Sequence, residues 1–305
     1  MADRAIVGGD VIGTDDFTRF LICPVCSAPL TQVATTLRCP QTHSFDIARE
    51  GYINLLLAKR KQPATVGDTK EMLQARRRFL ERGYYQPLLG IMCKQVCESL
   101  DNIPGGRVAA LPDCVVEVGC GDGYYIGQVQ HFLNNQLKPR HVCCFGVDIS
   151  KEAVKQAVKR YPAAHFIVAD VKRKLFFASG SVQVLLNIFA PRQATEFGRV
   201  LARRGRLLVV IPGPDHLSNL RANFNLIGIE DNKQQRVSAQ LAEIFHLTGE
   251  QHLAYDLTLT GEALFDLIQM TPNYWHLSED TRNRLSTIES VVTQASFTIL
   301  QFSRS

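Results

Sequence analysis

The 305-residue chain has no run of the roughly 18–20 uninterrupted apolar residues needed to cross a bilayer, so no membrane partner is expected. Residues 1–18 carry Asp3, Arg4, Asp10, Asp15 and Asp16 with glycines between short apolar runs. They lack the basic-then-apolar layout of a secretion signal and read as a loose extension. The nine cysteines are odd in number and without the regular framework of a small secreted domain, which points to reduced thiols in a cytoplasm. Strong charge is also missing. Lys and Arg number 34 against 29 Asp and Glu, and a net +5 is too small to indicate nucleic-acid binding by itself. With 46% apolar and 21% charged residues, the length predicts a soluble globular chain of about two domains.

Four of the potential metal ligands have zinc spacing. Cys23-Pro-Val-Cys26 is followed by Cys39-Pro-Gln-Thr-His43, a CxxC and a CxxxH pair, each on a tight turn that aims two ligand atoms at one centre. Cys3His is a closed tetrahedral set with no position left for water, which predicts a structural zinc ion rather than a Lewis acid.

The surplus positive charge is local. From 59 to 94, nine basic residues (Lys59, Arg60, Lys61, Lys70, Arg76, Arg77, Arg78, Arg82 and Lys94) against Asp68, Glu71 and Glu81 leave +6. Around a helix beginning at Lys70, Met72, Leu73, Ala75, Phe79 and Leu80 share one face, with Arg77 and Arg78 on its flanks. Arg76 falls within the apolar face, where a guanidinium must be paired or reach a polar ligand. The cluster suggests a surface for RNA phosphates with Arg76 turned to a cleft, against a solvated helix on which Arg76 snorkels or pairs with a carboxylate.

Val115-Val116-Glu117-Val118 runs directly into Gly119-Cys120-Gly121-Asp122-Gly123 and then an apolar helix around Ile126 to Leu133. This strand, glycine turn and helix carries GxGxG, not the GxGxxG of dinucleotide sites. Glu117 and Asp122 would repel a phosphate and suit a cation such as the sulfonium and amino group of S-adenosylmethionine. Two further apolar strands end in acids. Asp148 is placed to accept from ribose hydroxyls, and Asp170 from an adenine amino group. With Val182 to Ile188 and Arg206 to Ile211 they continue an alternating β/α series.

Several stretches resemble the bacterial large-subunit (23S) rRNA guanine-N1-methyltransferases. The first is Phe20 to Cys39 with His43-Ser44-Phe45-Asp46-Ile47-Ala48-Arg49-Glu50-Gly51-Tyr52-Ile53-Asn54-Leu55-Leu56. The others are Gly67-Asp68, Glu71-Met72, Gln74 to Arg77, Phe79-Leu80 to Pro87, Gly119 to Tyr125, Ala190-Pro191, Pro212-Gly213-Pro214 and Gln269 to Pro272. The likeness covers about residues 20 to 302. It implies a class I S-adenosylmethionine methyltransferase, with a Rossmann-like, seven-stranded, mostly parallel sheet behind a zinc module. It also implies methyl transfer to N1 of one guanine in a hairpin loop of 23S rRNA.

The expected layout is an extension (1–18), a zinc-binding module (19–58), a basic helical linker (59–105) and the methyltransferase domain (106–305). Cofactor contacts fall to Glu117, Gly119, Gly121, Gly123, Tyr124, Asp148 and Asp170. RNA contacts fall to Arg76, Arg77, Arg78, Tyr125, Phe189 and Trp275. No general base is assigned, and a homodimer stays open. Gln183 begins the fourth strand where an acid is common, Asn187 and Arg192 are less typical of the following loop, and Arg203-Arg204-Gly205 replaces a usual Pro-Gly-Gly turn. Competing expectations are a methyltransferase for a small molecule or protein, and a non-catalytic RNA-binding factor that keeps the fold.

Overall fold

In the computed structural model the described residues are 17–57, 68–102, 112–136, 141–224, 226, 232–271, 274 and 277–305. Trp275, the basic run Lys59 to Lys61 and most of the amino-terminal extension lie outside them.

A small antiparallel sheet carries β1 (Thr31–Val33), β2 (Thr36–Arg38) and β3 (Ser44–Asp46). The main sheet is built from β4 (Ile53–Asn54), β5 (Asp113–Val118), β6 (Val142–Asp148), β7 (His165–Val168), β8 (Val182–Ile188), β9 (Leu201–Pro212), β10 (Phe245–Thr260) and β11 (Ser290–Arg304). Its order is β10-β11-β9-β8-β5-β6-β7-β4, with β11 antiparallel to its neighbours and β4 to β9 parallel. The seven expected strands are therefore joined by an eighth, two residues long, which the zinc module adds at the edge beside β7.

The central strand β5 is buried at every position, as a parallel strand covered on both faces must be. Alternation sends Val115 to one core and Cys114, Val116 and Val118 to the other. The first core lies under α1 (Lys70–Glu81), α2 (Gln86–Asp101), α3 (Tyr124–Gln136), α4 (Lys151–Arg160) and α8 (Gly261–Gln269). The second joins α5 (Ala194–Val200) and α7 (Lys233–Leu241) to the zinc module, whose Phe20, Leu21, Leu30 and Leu37 share one cluster with Phe145 and Phe177. Helix α6 (Ser218–Phe224) and helix α9 (Glu279–Ser286) complete the set. Ile22 N–H donates to Phe176 O and Ala178 N–H to Phe20 O. The zinc module is thus stitched to the sheet and has no separate core.

The helix beginning at Lys70 forms as α1, capped by Thr69, whose hydroxyl accepts from Met72 N–H at 3.3 Å. Its buried residues are Met72, Leu73, Ala75, Phe79 and Leu80, the face read from periodicity. Gln183 serves the sheet, where its Oε1 accepts from Cys114 N–H at 2.6 Å and ties β8 to β5. The Arg203-Arg204-Gly205 segment is not a turn but part of β9, across a register shift from β8. Gly205 is needed there, since a Cβ would lie 2.9 Å from Gln183 O.

Candidate cofactor cleft and metal centre

Cys23, Cys26, Cys39 and His43 converge. Cys26 and Cys39 Sγ are 3.6 Å apart, and His43 Nδ1 lies 3.4 Å from Cys39 Sγ and 3.6 Å from Cys23 Sγ. A tetrahedron with Zn–S bonds of ~2.3 Å has edges of about 3.7 Å. All four ligand atoms lie within 4.8 Å of one another. Each turn closes through a left-handed residue, Ser27 at φ 63° and Thr42 at φ 65°. Burial raises the Cys39 thiol, but hydrogen bonds from the His43 backbone, Cys26 and the His43 ring outweigh it and bring it to about 7. The donor set fits zinc and leaves no ligand position for substrate.

The glycine turn after β5 is left-handed at Gly119 (φ 75°), Gly121 (55°) and Gly123 (79°). A Cβ on Gly119 would sit 2.5 Å from Ala190 Cβ, and one on Gly123 2.7 Å from the Phe166 ring. The turn therefore needs backbone without side chains, and the first glycine is packed against the Ala190-Pro191 loop. Glu117 is 2% exposed, and its Oε2 accepts from Ile126 N–H at 2.9 Å in the first turn of α3. Asp148 accepts from Gly121 N–H at 2.9 Å and Ser150 N–H at 2.8 Å, which fixes its carboxylate against the turn.

Burial raises the carboxyls of Glu117, Asp122 and Asp148; mutual repulsion adds to this at Glu117, while Arg76 and Arg77 offset it at Asp122. Three crowded acids are relieved by a cation, which fits a sulfonium and ammonium ligand. Asp170 lines the same cleft but is shared: it accepts from Lys172 N–H and from Arg173 Nε, both at 3.0 Å. Tyr124 and Tyr125 line the cleft from the start of α3.

The cleft encloses about 1170 Å³ at the carboxyl ends of β5 to β9, where parallel sheets bind ligands. Arg76 lines it while also pairing with Asp68 and donating to Met270 O at 3.0 Å, so the cleft-facing and carboxylate-paired placements occur together. The other two arginines differ. Arg77 is half-exposed and paired with Glu81 at 3.3 Å. Arg78 has its fork on buried Asp266, with Nε 3.0 and 3.1 Å from the two oxygens. It ties α1 to α8 while its side chain stays about half-exposed.

Phe189 is 46% exposed at the cleft mouth with φ 53°. The two atypical residues beside it partner each other: Arg192 donates to Asn187 Oδ1 and Ala190 O, both at 3.2 Å, and fully buried Asn187 donates to Pro191 O at 3.0 Å. Sequence reasoning missed Tyr85, His216, Arg221, Lys172 and Lys174, which also line the cleft. Tyr85 lies inside a segment that carried the resemblance, whereas His216 had no local signal.

The family described as "RlmA, N-terminal", a zinc ribbon, matches residues 21–63, and the "Methyltransferase domain" family matches residues 115–209. Over 285 residues the chain is 36% identical to the 23S rRNA (guanine(748)-N(1))-methyltransferase of Streptomyces fradiae, spanning 92% of this chain and 96% of that protein. It is 36% identical over 270 residues to a protein of Micromonospora griseorubida provisionally named 23S rRNA (guanine-N(1)-)-methyltransferase, spanning 86% and 88%. A similarly named protein of Bacillus subtilis, YxjB, is 28% identical over 286 residues, 91% and 94% of the two chains. The cofactor is S-adenosylmethionine, and the ion of the Cys3His centre is structural zinc. A ribbon with its ligands in place, a cationic-cofactor cleft and likeness over nearly the whole length have one conclusion: the chain belongs to the 23S rRNA (guanine-N1)-methyltransferase family.

Proposed function

We propose that this enzyme methylates N1 of a guanine in a hairpin loop of 23S rRNA, the zinc module and α1 side of the cleft holding the RNA. One observation carries the reading: the cleft has more room than one small ligand needs, and its lining is not uniform. Its about 1170 Å³ exceeds the roughly 300–1,000 Å³ of a site for one small ligand. Past the acids it is lined by Phe189, His216 and Tyr85 and by Arg192 and Arg221, while Lys172 and Lys174 follow Asp170 at the other end. Rings suit an extruded base and cations suit the phosphates beside it.

S-adenosylmethionine, when bound, supplies an electrophilic methyl group. Asp148 and the glycine turn would hold it, and the loop at Phe189 to Arg192 would hold the base across the cleft from them. N1 lies on the Watson-Crick edge, so the guanine must be unpaired to enter. Arg77 and Arg78, both half-exposed on the flanks of α1, are the arginines of that helix open to phosphate, and Arg77 is held only by a pair within its own helix.

Methyl transfer from labelled S-adenosylmethionine tests the reading with a hairpin fragment of 23S rRNA and a control whose loop is closed into duplex. Label in the open hairpin alone supports it. Equal label in the duplex, or label only in a protein or small-molecule acceptor, would overturn it.

A further inference from the structure

Beyond β9 the chain turns through Pro212-Gly213-Pro214 and brings His216 to the cleft wall. His216 Nδ1 accepts from the Ser296 backbone N–H at 3.2 Å, and Tyr85 Oη stands 3.4 Å from Nε2. With Nδ1 an acceptor, the proton of the neutral ring sits on Nε2. Burial, helped by Arg221, lowers the imidazole to about 4, so at neutral pH the ring is an uncharged donor and not a base.

Around this donor is a run of rings. Ring centroids are 4.9 Å apart for Tyr85 and Phe297, 4.9 Å for His216 and Phe297, and 5.7 Å for Phe189 and Phe297. Phe189 adopts a left-handed backbone that costs an aromatic residue energy and holds it at the mouth. Two polar groups here lack hydrogen-bond partners among the described residues: the hydroxyl of Tyr125, itself 8% exposed, and the buried Nε of Arg221. Apolar faces with unfilled polar capacity match a purine.

The sheet order also separates two ends of the cleft. Asp148 and Asp170 follow β6 and β7 on one side of the glycine turn, and Phe189 and His216 follow β8 and β9 on the other. The acids take the cofactor, which leaves the ring-lined end for the base.

Resting on the reading of this enzyme as a guanine-N1 methyltransferase, we propose that His216 is a catalytic residue whose Nε2–H turns from its long 3.4 Å contact with Tyr85 Oη to donate to O6 of the target guanine, with Phe189 stacked on the base. The N1–H bond breaks and its proton passes to solvent water, leaving negative charge that spreads onto O6. The N1–C bond forms as the C–S bond breaks, its electron pair staying on sulfur, which becomes neutral. A donor aimed at charge that develops only in the transition state lowers the barrier without tightening ground-state binding.

The test uses the zinc-loaded full chain, a 23S rRNA hairpin and the variants His216→Phe and His216→Gln, the amide N–H of glutamine standing in for Nε2–H. Cofactor affinity is read by calorimetry, and kcat and KM are followed over pH. Among the described residues, Arg221 and Lys233 act on His216 electrostatically, Tyr85 Oη lies beside its ring and Asp215 precedes it in the chain, and all are retained in the variants. His216→Phe is expected to lose ~10²-fold in kcat, with cofactor affinity and RNA KM within about threefold of wild type. Its rate should rise with pH to a plateau at higher pH than wild type, because unassisted N1 deprotonation is harder. His216→Gln should recover most of kcat. A kcat for His216→Phe within about threefold of wild type would overturn the assignment. So would equal losses in both variants with an unmoved pH profile. Wild-type protein inert on RNA would instead sink the substrate reading itself.

Discussion

Gly119 shows how tightly single residues constrain the cofactor site. Its φ of 75° is costly for any other residue, and an added Cβ would meet Ala190 Cβ at 2.5 Å. Gly119→Ala should weaken S-adenosylmethionine binding by at least about tenfold, roughly 1.4 kcal/mol, as read by calorimetry. Unchanged affinity would contradict the cradle. His216 gives a second expectation. Its folded value of about 4 lies below its ordinary 6.5, so between those values the unfolded chain binds the proton and the folded one does not. Stability contributed by the neutral ring is present above about 6.5 and is lost as pH falls toward about 4, at up to roughly 1.4 kcal/mol per pH unit. Urea melts at pH 7 and pH 5 should show a smaller difference for His216→Gln than for wild type. The zinc ligands and glycines were legible in the sequence because they come in short, regularly spaced motifs, CxxC with CxxxH and GxGxG. His216 and Tyr85 were not, because 131 residues separate them and only the sheet brings them together.

Among the elements, α1 was the easiest to read and the easiest to misread. Its apolar face and the misfit of Arg76 followed from a 3.6-residue period, and the structure returns both. Periodicity says where a side chain points but not what meets it, so the partner of Arg78 was invisible. Asp266 is only 4% exposed in its side chain and accepts a fork from Arg78, with Arg82 3.6 Å away. Asp266→Asn keeps the shape and removes the charge, and should cost about 1.5–3 kcal/mol in a urea melt. A loss under about 0.5 kcal/mol would put this pair with weak surface bridges. The strand β4 escaped notice for a different reason. Two residues, Ile53 and Asn54, carry no period, and their pairing with Ile167 and Val168 is set by the module's packing.

At the scale of the whole molecule, the sequence suggests a chain of modules and the fold joins them. The zinc module shares a core with the sheet through Phe20, Leu21, Phe145 and Phe177, and it contributes the strand next to β7. Zinc should therefore stabilise the entire protein. Removing it with a chelator, or by Cys26→Ser, is expected to lower the melting temperature in a single cooperative transition, with elemental analysis showing the loss of metal. Two separated transitions by calorimetry, with the later one unmoved, would show the module to be an independent unit. Among the described residues no helix is long and apolar enough to cross a membrane.

One cleft joins an acidic end walled by Asp148 to an aromatic end walled by Phe189 and His216, and the proposed chemistry depends on that union. Nucleoside mass spectrometry of unmethylated 23S rRNA after incubation with the enzyme and S-adenosylmethionine, paired with a reverse-transcription stop, reads the product directly. The expected product is N1-methylguanine at a single loop position, lost when Asp148 is replaced by Ala. Methylation at another atom or base, or none in RNA from zinc-loaded protein that binds the cofactor, would contradict it.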